Sequence, residues 1–166
     1  MSPVLSKLQL KVADEAWIIA ALLQREQPEK VDFSVEEIMQ RAQKERLTER
    51  LRPGVYVHII QHCVANRRPN PGRYRMLFET APGRRRLFRL GDPYHPERQG
   101  GKVTPDRDDL HHQFGELLDW YREWSSSGIR AARESDPLLT LRGSGKRLWA
   151  NESADQYVRR LREGWE

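Results

Sequence analysis

The sequence predicts a mainly helical α+β fold: a compact set of helices, one β-hairpin, an extra amphipathic helix and an extended C-terminal tail with a short helix. Three observations predict it. Strong helix patterns fill residues 14–45, two short basic segments flank the turn Ala81-Pro82-Gly83, and aromatic residues recur after a serine-rich stretch. At 166 residues the chain holds one ordinary domain plus an appendage.

From Asp14 the run Asp-Glu-Ala-Trp-Ile-Ile-Ala-Ala-Leu-Leu-Gln-Arg-Glu-Gln is acidic at its start and stopped by Pro28. Apolar residues cover most of its circumference, which places it at the centre of a core. Ser34-Val35-Glu36-Glu37 announces a second helix: Ser34 caps, Glu37 reaches back, and Phe33 with Ile38 forms a hydrophobic staple. That helix should run to about Lys44. A polar connector then leads to Pro53, suited to the first residue of a third helix over 53–65.

A helical wheel puts Val55, Ile59, Cys63, Tyr56, Ile60, Val64 and Val57 on one broad buried arc of the third helix. Gly54, His58, Gln61, His62 and Ala65 share the outer strip, with no acid among them. The basic turn Asn66-Arg67-Arg68-Pro69-Asn70-Pro71-Gly72 follows, then strands over 73–80 and 84–90 about the turn at 81–83. Residues 92–106 read as irregular. Asp108 or Asp109 then caps a helix whose apolar face is Leu110, Phe114, Leu117, Leu118, Tyr121 and Trp124; its cover is either the preceding body or a second copy. Ser125-Ser126-Ser127-Gly128 begins a linker. The last helix has a Ser153/Gln156 capping box and the stripe Ala154, Tyr157, Val158, Leu161 and Trp165.

The formal net charge is +5, but its position matters more than its size. Residues 65–90 carry eight arginines against one acid, whereas the flanking segments balance. Such a window suits phosphate. Several classes drop out of the reading. The longest apolar run, residues 16–23, is eight long, where a bilayer span needs about 20. Lys7, Lys11 and Asp14 interrupt any leader-like stretch, and a cytoplasmic location is expected. Cys63, the single cysteine, rules out an intramolecular disulfide. His58 and His62 have zinc-clamping spacing, yet the wheel sets Cys63 on the opposite side, so neither a metal nor another cofactor is expected. With no nucleophile motif or phosphate loop, the chain is read as no enzyme.

Three helices followed by a basic hairpin, residues 14–90, resemble a winged helix-turn-helix with a β-hairpin wing. That resemblance implies that the third helix enters the major groove of double-stranded DNA and the wing touches its backbone. Carried over, His58, Gln61 and His62 face bases, and Arg67, Arg68, Arg73, Arg75, Arg84, Arg85 and Arg86 hold phosphates.

A second resemblance covers only the last 31 residues. Leu141-Arg142-Gly143-Ser144-Gly145-Lys146-Arg147-Leu148-Trp149, followed by Asp155-Gln156-Tyr157-Val158-Arg159-Arg160-Leu161-Arg162, is similar to the neutralising tail of antitoxins from PIN-domain toxin–antitoxin systems. It implies a tail that wraps a cognate PIN-domain RNase toxin and sends a basic side chain into its acidic site. Arg142, Lys146, Arg147, Arg159 and Arg160 are the candidates. Leu138, Leu141, Leu148, Trp149, Tyr157, Val158, Leu161 and Trp165 supply apolar contacts. Many such antitoxins carry a ribbon or looped-hinge DNA-binding domain, so a winged helix departs from their pattern.

The organisation expected is a DNA-binding domain over 13–90, a loop and packing or dimerisation helix over 91–124, a linker over 125–137 and a partner-binding tail over 138–166. The leading expectation is an antitoxin that also binds operator DNA, as a possible homodimer. Two alternatives stand beside it: a stand-alone transcriptional regulator whose tail packs on itself, and a module that grips RNA or DNA without regulating transcription.

Overall fold

The computed structural model describes residues 10–134 and 154–163 and divides into two compact units, Met1–Ser126 and Ser127–Glu166. In the first unit α1 spans Val12–Glu26, and every residue from Ala13 to Gln24 is buried. The apolar circumference read from the sequence is therefore used in full. Two acids are buried with it. Glu15 is held by Arg52, whose Nε and Nη2 donate to one carboxylate oxygen at 2.9 and 2.5 Å. Burial pushes the Asp14 carboxyl above its usual range.

The capping box forms as expected. Ser34 Oγ accepts from the Glu37 amide at 3.1 Å, and Glu37 Oε2 accepts from the Ser34 amide at 2.7 Å. Helix α2 is Val35–Glu45, and Arg46 ends it in the left-handed region at φ 49°. The pair Phe33 and Ile38 is buried beneath it. Helix α3 starts at Pro53, as read, but keeps α geometry only over Pro53–Val57; His58–His62 is a π-helix.

A short strand β1, Phe33–Ser34, precedes α2; β2 is Leu77–Ala81 and β3 is Arg84–Leu87. The sheet is antiparallel with order β1-β3-β2, pairing Phe33 with Arg85 and Leu77 with Leu87. Both hairpin strands are shorter than expected. Residues ahead of β2 turn elsewhere: the Arg75 amide donates to the Lys102 carbonyl and the Met76 amide to the Cys63 carbonyl. Strand β1 escapes sequence reading because two residues cannot show an alternation.

Three 3₁₀ turns, Pro96–Arg98, Arg107–Asp109 and His112–Phe114, lead to α4, Gly115–Glu134. Neither Asp108 nor Asp109 caps that helix, which begins later than expected; Asp109 instead pairs with Lys11 at 2.5 Å. The apolar face of the segment is covered within its own unit. Leu110, Phe114, Leu117, Leu118 and Tyr121 are buried in one core with α1, where Trp17 meets Tyr121 edge-on at 5.7 Å. No second copy is required to cover it. The serine stretch read as a linker is helical. Ser125 and Ser126 each donate a hydroxyl to the Arg122 carbonyl, at 3.3 and 2.6 Å, so their polar groups are satisfied inside the helix. The unit boundary still falls there, between Ser126 and Ser127.

In the second unit, α5 spans Ala154–Glu163, near the extent expected from the stripe. Among the described residues no helix is long and apolar enough to cross a membrane.

Candidate nucleic-acid interface

The end of α3 controls where the basic window goes. In the π-helix the Cys63 amide donates to the His58 carbonyl at 2.9 Å, an i→i+5 bond. Helix ends leave their last carbonyls without intrahelical donors and carry partial negative charge. Here three arginines supply the donors. Arg85 Nε donates to Ile59 and Arg67 Nη1 to Ile60, both at 3.1 Å. Arg98 Nη2 donates to Gln61 and Nη1 to His62, both at 2.8 Å.

This capping corrects the phosphate assignment of Arg85, which is 1% exposed and turned into the protein. Its strand position explains why. Alternation along β3 sends Arg85 and Leu87 inward and Arg84 and Arg86 outward. The outward pair has acidic partners: Arg84 meets Asp32 at 2.6 Å and Arg86 meets Asp92 at 2.6 Å. Arg67 grips Glu79 through Nε at 2.5 Å and Nη2 at 3.0 Å, and those bonds hold the Glu79 carboxyl below its usual range. Arg84, followed by Thr80, does the same for Asp32. Arg75 lies 4.3 Å above the Tyr94 ring and donates to the Gly101 carbonyl at 3.1 Å.

Arg68 and Arg73 differ from the rest. Arg68 has a side chain 78% exposed, with Glu97 at 3.1 Å as its partner, itself half exposed. Arg73 is exposed, and no acid pairs with it among the described residues. Both sit on the loop between α3 and β2. That loop is fastened from beneath: Arg98 Nε and Gln61 Nε2 donate to the carbonyls of Arg67 and Arg68, each at 2.6 Å. Gly72 packs so closely that a Cβ there would sit 3.0 Å from the Cβ of His62.

The proposed base-reading strip is also rearranged. His58 and His62 are half-buried, edge-to-face at 4.9 Å, and His58 Nδ1 donates to the Gly54 carbonyl at 2.8 Å. Burial lowers the His58 pKa. Ala65, placed on the outer strip, is fully buried. Gln61 commits its amide nitrogen to the loop. Facing solvent instead are Tyr56, 47% exposed, and Val57, 39% exposed, both assigned to the buried arc. For Tyr56 and Val57, which precede the π-turn, the wheel draws the buried arc too broad; beyond His58 the π-turn breaks the phase of about 100° per residue that sets Ala65 outside. Beside Tyr56 a cleft of about 380 Å³ opens between α2 and the hairpin, lined by Val35, Met39, Ile60, Arg67 and Arg85.

Sequence reasoning missed Arg98, which is fully buried and caps two carbonyls of α3. It lies in the irregular stretch, where no periodicity marks a side chain as inward-facing. Arg52, the partner of buried Glu15, was likewise passed over as part of a polar connector.

In the tail, Leu138, Leu141, Arg142, Lys146, Arg147, Leu148, Trp149, Ser153 and Trp165 lie outside the described residues. On α5, Val158 is 45% exposed, and Arg159, Arg160 and Arg162 are exposed. The chain matches no family model, no curated protein and no solved structure.

Proposed function

We propose that the chain is a non-enzymatic regulator in which a winged-helix body binds double-stranded DNA and the C-terminal tail neutralises a PIN-type RNase. The observation that carries the DNA half is the element order α1-β1-α2-α3-β2-β3, with β1 on the outer edge of β3. This order supports the winged-helix reading, which calls for three helices followed by a hairpin. Exposed Tyr56 and Val57 offer α3 apolar contacts of the kind made to thymine methyl groups, and few hydrogen bonds to base edges. Sequence discrimination through α3 is then weak. The tail half rests on its likeness to antitoxin tails and on exposed Val158 among exposed arginines of α5.

Two measurements test the two halves. Binding of the full chain to duplex DNA and to RNA of equal length, at one fixed salt concentration, should favour DNA; preference for RNA overturns the DNA reading. In a pull-down from the native host, the full chain should retain a small Mg²⁺-dependent RNase and silence it. Replacing Leu148 and Trp149 by Asp should release an active RNase. Retention of no such enzyme by the unmodified chain overturns the tail reading and leaves a stand-alone regulator.

A further inference from the structure

The strongest concentration of basic residues in the sequence does not become the strongest concentration of available charge. Of the eight arginines in residues 65–90, Arg67, Arg84 and Arg86 each hold a carboxylate, and Arg85 is buried on helix carbonyls. Arg75 is stacked on an aromatic ring, and Arg89 lies 4.4 Å over Trp124. A guanidinium already paired with a carboxylate releases little counterion when a phosphate arrives, because the acid beside it carries the charge the phosphate would bring. A ring leaves the charge of Arg75 and Arg89 in place, but both side chains are partly buried; Arg68 and Arg73 are the exposed arginines of the window, with charge to offer. The pair of Arg68 with Glu97 is exposed on both sides and therefore weak, so a phosphate competes with it easily.

These two arginines also stand on a prepared support. The carbonyls of Arg67 and Arg68 are fixed by Arg98 and Gln61, and the Arg67 amide donates to the Val64 carbonyl at 3.2 Å. At the far end Gly101 comes so near the Arg73 carbonyl that no side chain fits between them. Pro69 and Pro71 stiffen the span between. A loop fixed in this way loses little conformational entropy on binding.

We infer that the phosphate-gripping surface is the loop between α3 and β2, through Arg68 and Arg73, and that the hairpin tip contributes little. The inference rests on the DNA-binding reading and specifies which part of the body makes the contact. Neutralising Glu97 alone strengthens binding, since it frees Arg68 without touching the core.

The test is fluorescence anisotropy of the full chain with a labelled mixed-sequence duplex across a salt series starting at about 50 mM. Arg68→Gln/Arg73→Gln should bind about tenfold or more weakly, and its log–log salt slope should fall by about 1.8, the loss of two phosphate contacts. Arg84→Gln should bind like the unmodified chain, and Glu97→Gln more tightly. An unchanged slope in the Arg68/Arg73 variant, or a larger loss in Arg84→Gln, overturns the loop assignment. Failure of the unmodified chain to bind at the lowest salt instead overturns the DNA reading beneath it.

Discussion

Arg98 Nε donates to the Arg67 carbonyl at 2.6 Å, so a fully buried cation that pairs with no carboxylate among the described residues ties the loop after α3 to the helix end. The same guanidinium serves the carbonyls of Gln61, His62 and Tyr74. Replacing Arg98 by Met strands four partly buried acceptors and should destabilise the fold by about 3–5 kcal/mol. Arg98→Lys should recover only part, because an ammonium cannot span the fork. Urea denaturation midpoints of the three proteins check both statements.

The Arg52–Glu15 pair ties the N-cap of α3 to the buried face of α1. Arg52→Ala leaves the Glu15 carboxylate buried and alone, at an expected cost of about 3 kcal/mol. Adding Glu15→Gln removes that stranded charge, so the double variant should be more stable than the sum of the two single losses. Strict additivity in the double-mutant cycle would contradict the pairing.

Stability should respond to pH through His58. Burial holds its pKa below the ordinary histidine value, partly offset by the bond to Gly54. The unfolded chain therefore takes up the proton more readily, so the contribution is full above about pH 6.5 and is lost as pH falls from there through the lower folded value. Asp14, raised by burial, acts with the opposite sign, since lowering the pH favours its neutral folded form. A His58→Asn variant measured beside the unmodified chain separates the two. Its melting temperature should fall less between about pH 7.5 and 5.5.

Gly101 is required by a close backbone approach. A Cβ there would lie 1.8 Å from the Arg73 carbonyl oxygen, and neither partner is a flexible side chain. Gly101→Ala should cost about 1–3 kcal/mol and displace the base of the loop that carries Arg73. A thermal melt gives the first quantity, and amide exchange at Arg75, bonded to Lys102, reports the second.

Cys63 is buried beside Met76, with Sγ and Sδ 4.0 Å apart, and burial pushes its thiol well above the usual range. Alkylation should be slow in the native protein and fast in denaturant. Rapid modification of the folded chain would show that the π-turn opens readily.

The sequence made some of this architecture legible and concealed other parts for physical reasons. The Ser34/Glu37 box and Pro53 mark helix starts through local chemistry, and local chemistry survives folding. The hydrophobic face of 110–124 also reads correctly as something to be covered, though its cover is α1 and the rest of the same core. The wheel for α3 drew its buried arc too wide at Tyr56 and Val57, and lost its phase after His58, where the helix changes pitch. The arginine window failed for another reason: Asp32 and Asp92 lie outside it in the chain and meet it only in space. The run Ser125-Ser126-Ser127-Gly128 suggests a linker, yet the hydroxyls of Ser125 and Ser126 find the Arg122 carbonyl and the helix runs on.

Asp32, Glu79 and Asp92 occupy arginine forks in the manner of a phosphate oxygen, so the body carries its own competitors for the ligand its arginines suggest. The positive charge the body presents is then governed as much by three acids as by the cations beside them. A neutral residue at Asp32 would unmask Arg84 at the hairpin tip, shifting the electrostatic face of the molecule without adding a single positive charge.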